Sequence, residues 1–121
     1  MADRRRITVS AVGDLALVRF LDRKIVDPAN IEEVGDEMFQ LVEKDKFKNI
    51  ILNFDGVEFL GSAALNKLIM MEKKVKASGG KLRLCALRAE IMEVFTITRL
   101  TKVFDIKKTE ADALKAFGVS L

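Results

Sequence analysis

The chain has 121 residues, half of them hydrophobic and 32% charged, with a formal net charge of +3. That length suits one domain spanning 1–121, and the composition lies outside the disordered and disulfide-rich regimes. Histidine is absent and cysteine occurs once, which excludes Ser-His-Asp and Cys-His catalysis, histidine-bearing metal sites and an internal disulfide.

Acidic and basic residues alternate along most of the chain, so no single-sign stripe is offered to nucleic acid. The basic run Arg4 to Arg6 is expected to be part of a flexible, solvated tail over residues 1–6, because no aromatic stacking platform accompanies it. The N-terminus lacks the apolar core of a secretory signal, and no apolar run approaches the roughly 20 residues that cross a bilayer. These features point to a cytoplasmic protein with no membrane contact.

Two short strands, Ile7 to Ala11 and Leu15 to Phe20, flank Val12, Gly13 and Asp14 in the spacing of an antiparallel hairpin. Asp27 then reads as an N-cap with Pro28 at the first helical position, followed by Ile31, Val34, Met38, Leu41 and Val42 on one face; this helix is expected to end near Lys44. Asn49 to Phe54 is the clearest strand. Its consecutive Ile50, Ile51 and Leu52 predict burial on both faces of a sheet with parallel neighbours.

Asp55 and Gly56 have the composition of a tight turn. A carboxylate pair of Asp55 with Glu58, holding a cation or doing acid/base work, is the competing reading of that loop, and turn chemistry is preferred. Phe59 and Leu60 are expected to anchor the loop in the core, after which a helix opens at Ser62. Leu65, Leu68, Ile69 and Val75 form its apolar side, Lys67, Lys73, Lys74 and Lys76 lie elsewhere, and Ser78, Gly79 and Gly80 stop it. The paired glycines lack the spacing of a dinucleotide fingerprint or a Walker loop.

Lys81 to Ala86 is another strand, within which Cys85 is expected to be a buried thiol acting as a small hydrophobe. Ala89 to Phe95 predicts a helix, Val103 to Ile106 a last strand, and Thr109 with Asp112 a capped terminal helix that reaches Phe117. The alternation implies an α/β fold: a mixed, mainly parallel sheet with an N-terminal antiparallel hairpin and about four helices packed against it.

Ser62 carries the functional reading. By default it is an N-cap whose hydroxyl accepts from a first-turn N–H, a contribution of about 1 kcal/mol. Gly61, Ala63 and Ala64 leave the helix start bare of large side chains, so a partner can approach backbone and hydroxyl closely. A phosphate on Ser62 would add about −1.5 to −2 charges beside helix-terminal N–H groups, changing a binding surface more than the fold.

The order of hairpin, helix opened by Val26-Asp27, apolar strand and Val57–Leu65 (VEFLGSAAL) resembles the STAS domain of bacterial anti-sigma factor antagonists, whose usual motif at that turn is Asp-Ser-Ser-Gly-Leu. The similarity continues through Gly79–Leu87 (GGKLRLCAL) and Glu93–Ile106 (EVFTITRLTKVFDI), nearly the whole chain. The resemblance implies that Ser62 is the phosphoacceptor and Asp27 the acidic residue near the partner surface, with Gly61, Ser62, Ala63 and Ala64 completing the contact patch. It also implies the partners: an anti-sigma factor that is an ATP-dependent serine kinase, and a serine phosphatase that resets the switch. The domain would be substrate and ligand, not an enzyme, and would hold no cofactor or metal.

Gly61 stands where the family has Asp, and Ala63 and Ala64 where it has Ser and Gly, so one hydroxyl remains in the motif. A second reading keeps the fold and makes Ser62 a cap alone, the domain then being a phosphorylation-independent scaffold or a sensor that binds a nucleotide weakly at the helix terminus.

Overall fold

The structure is a computed structural model that describes residues Arg4 to Val119. Residues 1–3 of the expected basic tail lie outside that range.

The hairpin comes first. β1 (Ile7–Val12) and β2 (Leu15–Phe20) pair antiparallel from Ile7 opposite Phe20 to Val12 opposite Leu15, and the chain reverses at Gly13 with a φ of +62° that glycine adopts freely. β1 runs one residue beyond its expected end. After β3 (Lys24–Ile25), the helix α1 (Pro28–Glu43) opens as read from sequence: the Asp27 carboxylate accepts from the N–H groups of Ala29 and Asn30 at 2.9 and 3.3 Å.

The remaining elements follow in order: β4 (Asn49–Asn53), β5 (Phe59–Leu60), α2 (Ser62–Ala77), β6 (Lys81–Cys85), α3 (Ala89–Ile97), a 3-10 turn at Leu100–Lys102, β7 (Asp105–Lys107) and α4 (Glu110–Ala116). Thr109 caps α4, its hydroxyl accepting from the Asp112 N–H at 3.1 Å. The last strand begins at Asp105, because the N–H groups of Val103 and Phe104 both turn back to the Leu100 carbonyl, at 3.0 Å each, and so are withheld from the sheet.

The main sheet has the order β1-β2-β4-β6-β7, antiparallel in the hairpin and parallel from β2 onward. β4 lies at its centre. Ile50 and Leu52 enter the larger core beneath α1, α2 and α3, while Ile51 faces a second cluster with Leu15, Cys85, Ala113 and Leu114 under α4. A strand covered on both faces must be apolar at every position, which accounts for its unbroken run.

The chain also closes on itself where β6 begins. The Lys81 N–H donates to the Lys48 carbonyl at 2.9 Å, and a Cβ on Gly80 would stand 1.7 Å from that same oxygen. Only glycine permits this approach. The expected solvated tail is, from Arg4, tied down instead: Arg4 pairs with Asp45, Arg6 with Asp22 and Glu33, and the buried Glu37 carboxylate accepts the main-chain N–H of Arg5, Arg6 and Ile7. A charge on α1 with three converging donors holds the strand entry, which composition could not reveal.

Candidate functional site

From the end of β4 the chain turns sharply to reach α2. The Asn53 side-chain oxygen accepts from the Asp55 N–H at 2.8 Å, the Val57 N–H reaches the Phe54 carbonyl at 3.0 Å, and Gly56 sits at φ +90°. This is the turn expected of Asp55-Gly56. Glu58 pairs with Arg23 at 3.0 Å while Asp55 stays exposed on the turn, so the two carboxylates form no common site.

β5 then pairs in parallel with β3, Lys24 opposite Phe59 and Ile25 opposite Leu60. The N–H groups of Glu58 and Phe59 donate to the Arg23 carbonyl at 2.7 and 3.2 Å, and that of Gly61 to the Ile25 carbonyl at 2.9 Å. Two residues per strand are too few to show a period in sequence, so this small sheet had no legible signal. Its effect is positional. It fixes the segment leading into α2 beside the one leading into α1, and Val26 lies against Gly61, 3.5 Å from where a Cβ would stand.

The helix start differs from expectation by one residue. Gly61, extended at φ −75° and ψ 162°, is the N-cap, and Ser62 is the first residue of the helix itself. Because Gly61 is held in that conformation by its bond to Ile25, the Ser62 hydroxyl is carried past the capping position. It makes no hydrogen bond among the described residues, and no side chain caps α2. No acidic residue occupies the first turn either. The start of α1 is filled by the Asp27 carboxylate, whereas the start of α2 is bare.

Ser62 and Ala63 are exposed and Gly61 is partly so. Ala64 does not belong with them: its side chain is 4% exposed and packs into the core, as the inward position of a first helical turn requires. Phe59 departs in the opposite sense, being 55% exposed with the Lys24 ammonium 5.4 Å from its ring. Strand alternation turns Leu60 toward the core and Phe59 away from it. With Val26, also half exposed, Phe59 places two apolar side chains on the segments that flank Ser62.

Cys85 is fully buried, and burial, reinforced by the nearby Glu110 carboxylate and opposed by Arg19, pushes its thiol up to about 12. It is an inert core residue, as expected of a thiol in an apolar strand. Among the described residues no group of three or more His, Cys, Asp or Glu could hold a metal ion, and no helix is long and apolar enough to cross a membrane.

The family model of the STAS domain matches residues 14–113. The chain belongs to the STAS domain family. Its relatives include BtrV of Bordetella bronchiseptica, whose name includes the words anti-sigma factor antagonist; it is 27% identical over 97 residues, covering 80% of this chain and 83% of that protein. Among solved structures, an anti-sigma-factor antagonist (STAS) domain protein from Planctomyces limnophilus superposes with a TM-score of 0.82 at 21% identity, covering 93% of this chain and 97% of that one. The Bacillus cell fate determinant SpoIIAA in its phosphorylated form gives a TM-score of 0.70 at 17% identity, covering 92% and 98%. These likenesses establish the STAS fold, with its antiparallel hairpin, parallel remainder and four helices among the described residues.

Proposed function

We propose that this STAS domain is an anti-sigma factor antagonist that acts by binding, and that phosphorylation of Ser62 by a partner anti-sigma factor with serine kinase activity switches the binding off. The observation that carries the reading is the hydroxyl at the first position of α2, exposed and without a hydrogen-bond partner among the described residues. Transfer requires a nucleophilic oxygen that a kinase can reach. The Ser62 Oγ would bond to the γ-phosphorus of ATP as the bond to the leaving ADP breaks, its proton passing to a base of the kinase.

The product suits the same place. A phosphate on Ser62 would stand beside main-chain N–H groups at the positive end of a 16-residue helix that lacks a side-chain cap, so the fold would tolerate it. The surface would not be left unchanged. Val26, Phe59, Gly61 and Ala63 present apolar or uncharged groups around Ser62, and a partner that covers them would have to desolvate a dianion. Asp27 flanks this patch at the start of α1, and a serine phosphatase would reverse the change. That SpoIIAA is known in a phosphorylated form and shares the fold supports the reading.

The deciding experiment is a transfer assay with candidate anti-sigma factor kinases and ATP, read by intact mass and site mapping. One phosphate on Ser62 is expected, with Ser62→Asp weakening the kinase partner's binding and Ser62→Ala binding but resisting the switch. Stable binding of the partner with no phosphate on Ser62 would retain the docking surface and overturn the switch.

A further inference from the structure

A cleft of about 420 Å³ opens at the far half of α2, lined by Glu72 and Lys76 of that helix, Lys81 and Arg83 of β6, and Lys102 and Asp105 near the start of β7. Ser62 is ten residues from Glu72, about 15 Å along the helix, so this is a separate surface from the proposed switch.

The charges in the cleft are unequal. Asp105 is already engaged by Arg83 at 2.8 Å and Lys107 at 3.2 Å, leaving Glu72 as the one further carboxylate. Lys76, Lys81 and Lys102 form no ion pair among the described residues. All three are exposed, so their charges are presented at the rim rather than spent within the fold.

The floor carries one main-chain donor without an acceptor, and Arg83 beneath it is packed away from the opening. Arg83 gives its Nε to Asp105 and lays its guanidinium 4.1 Å from the Phe117 ring centroid, and its Nη1 is buried with no hydrogen-bond partner. β7 pairs with β6 only from Arg83 onward. Alternation along a parallel strand sends the Lys81 N–H to Lys48 on one side and that of Leu82 to the other, where the described backbone gives it no acceptor. Buried donors are normally satisfied, and the acceptor that fits beside three ammonium groups is an oxyanion.

We propose that this cleft binds a small polyanion, a molecule of metabolite size that carries phosphate or carboxylate groups. The volume lies within the range of small-molecule sites, the Lys76, Lys81 and Lys102 ammonium groups supply the attraction, and the Leu82 N–H supplies direction. The Glu72 carboxyl at the wall excludes a ligand that would set an anion against it, which favours anionic groups at separate ends of the molecule.

The test is a titration of the ¹⁵N-labelled chain with pyrophosphate, citrate and a polyglutamate peptide at constant ionic strength. Saturable displacement of the Leu82 amide signal by pyrophosphate or citrate is expected, and the tighter of the two identifies phosphate or carboxylate as the preferred group. Lys81→Gln with Lys102→Gln should weaken that binding about tenfold or more, with Lys76→Gln as an independent check and an unchanged circular dichroism spectrum in each. Three results would overturn the proposal: shifts that never saturate and spread over all lysines, shifts confined to the Ala63 and Ala64 amides, or a response to polyglutamate alone.

Discussion

The Glu37 carboxylate accepts the Arg6 main-chain N–H through both oxygens, at 3.0 and 3.2 Å, and takes the neighbouring Ile7 N–H at 3.2 Å. One side chain on α1 thereby fixes where β1 starts, and with it the register of the hairpin at the sheet's edge. Hydrogen bonds to a charged acceptor contribute about 1.5–3 kcal/mol, so Glu37→Ala should cost about 2–3 kcal/mol in urea unfolding. Glu37→Gln should cost less, since it keeps one acceptor oxygen. In native-state hydrogen exchange the amides of Arg5, Arg6 and Ile7 should lose protection in both variants before those of β4 do.

Gly80 and Gly79 are adjacent and should respond differently to alanine. At Gly80 the added Cβ would meet the Lys48 carbonyl oxygen at 1.7 Å, a main-chain atom that cannot swing aside, and Gly80→Ala should cost about 2–4 kcal/mol. At Gly79 the space is open, but the φ of +82° strains a residue with a Cβ, so Gly79→Ala should cost only about 1 kcal/mol. Chemical denaturation of the two variants separates close approach from backbone conformation.

Features set by neighbouring residues are legible in the sequence, whereas those set by distant ones are not. The unbroken Ile50-Ile51-Leu52 run announced a strand covered on both faces, and Asp27-Pro28 announced the start of α1, because each depends on residues adjacent in sequence. The carboxylate of Glu37 that gathers the N-terminal amides and the pairing of β3 with β5 depend on residues 31 and 35 apart, and no local period encodes them. The one-residue error at Ser62 has the same origin. The bond from Gly61 to Ile25 decides which residue caps α2, and that bond is tertiary. The outward turn of Phe59 and the inward turn of Ala64 follow from these placements.

Gly61 is the N-cap of α2, yet it has no side chain to cap with. Its ideal Cβ would lie 3.5 Å from the nearest atoms, an ordinary contact at a φ of −75°, so a larger residue fits there. Gly61→Asp should therefore stabilise the protein by a few tenths of a kcal/mol, roughly 1–2 °C in thermal melting. The new carboxylate would also occupy the first-turn N–H groups. On the proposed function, phosphorylation of Ser62 should then favour stability less in Gly61→Asp than in the parent chain, a difference that melting of the two phosphorylated proteins measures.

Glu72 sits 6% exposed on α2, and burial raises its pKa above the ordinary carboxylate value; Lys76 opposes the shift and Asp105 adds to it. A carboxyl with a raised folded-state pKa releases its proton more easily in the unfolded chain. Its favourable contribution is therefore complete at pH values below the unfolded pKa and is lost as pH rises through the higher folded value. Glu72→Gln keeps the shape and removes the ionisation. The variant should melt higher than the parent at neutral pH, and the advantage should vanish in acid, where both side chains are neutral. Parallel melting curves from pH 4 to pH 8 test this, and an advantage for Glu72→Gln that persisted unchanged at low pH would mean that packing, and not the buried charge, separates the two proteins.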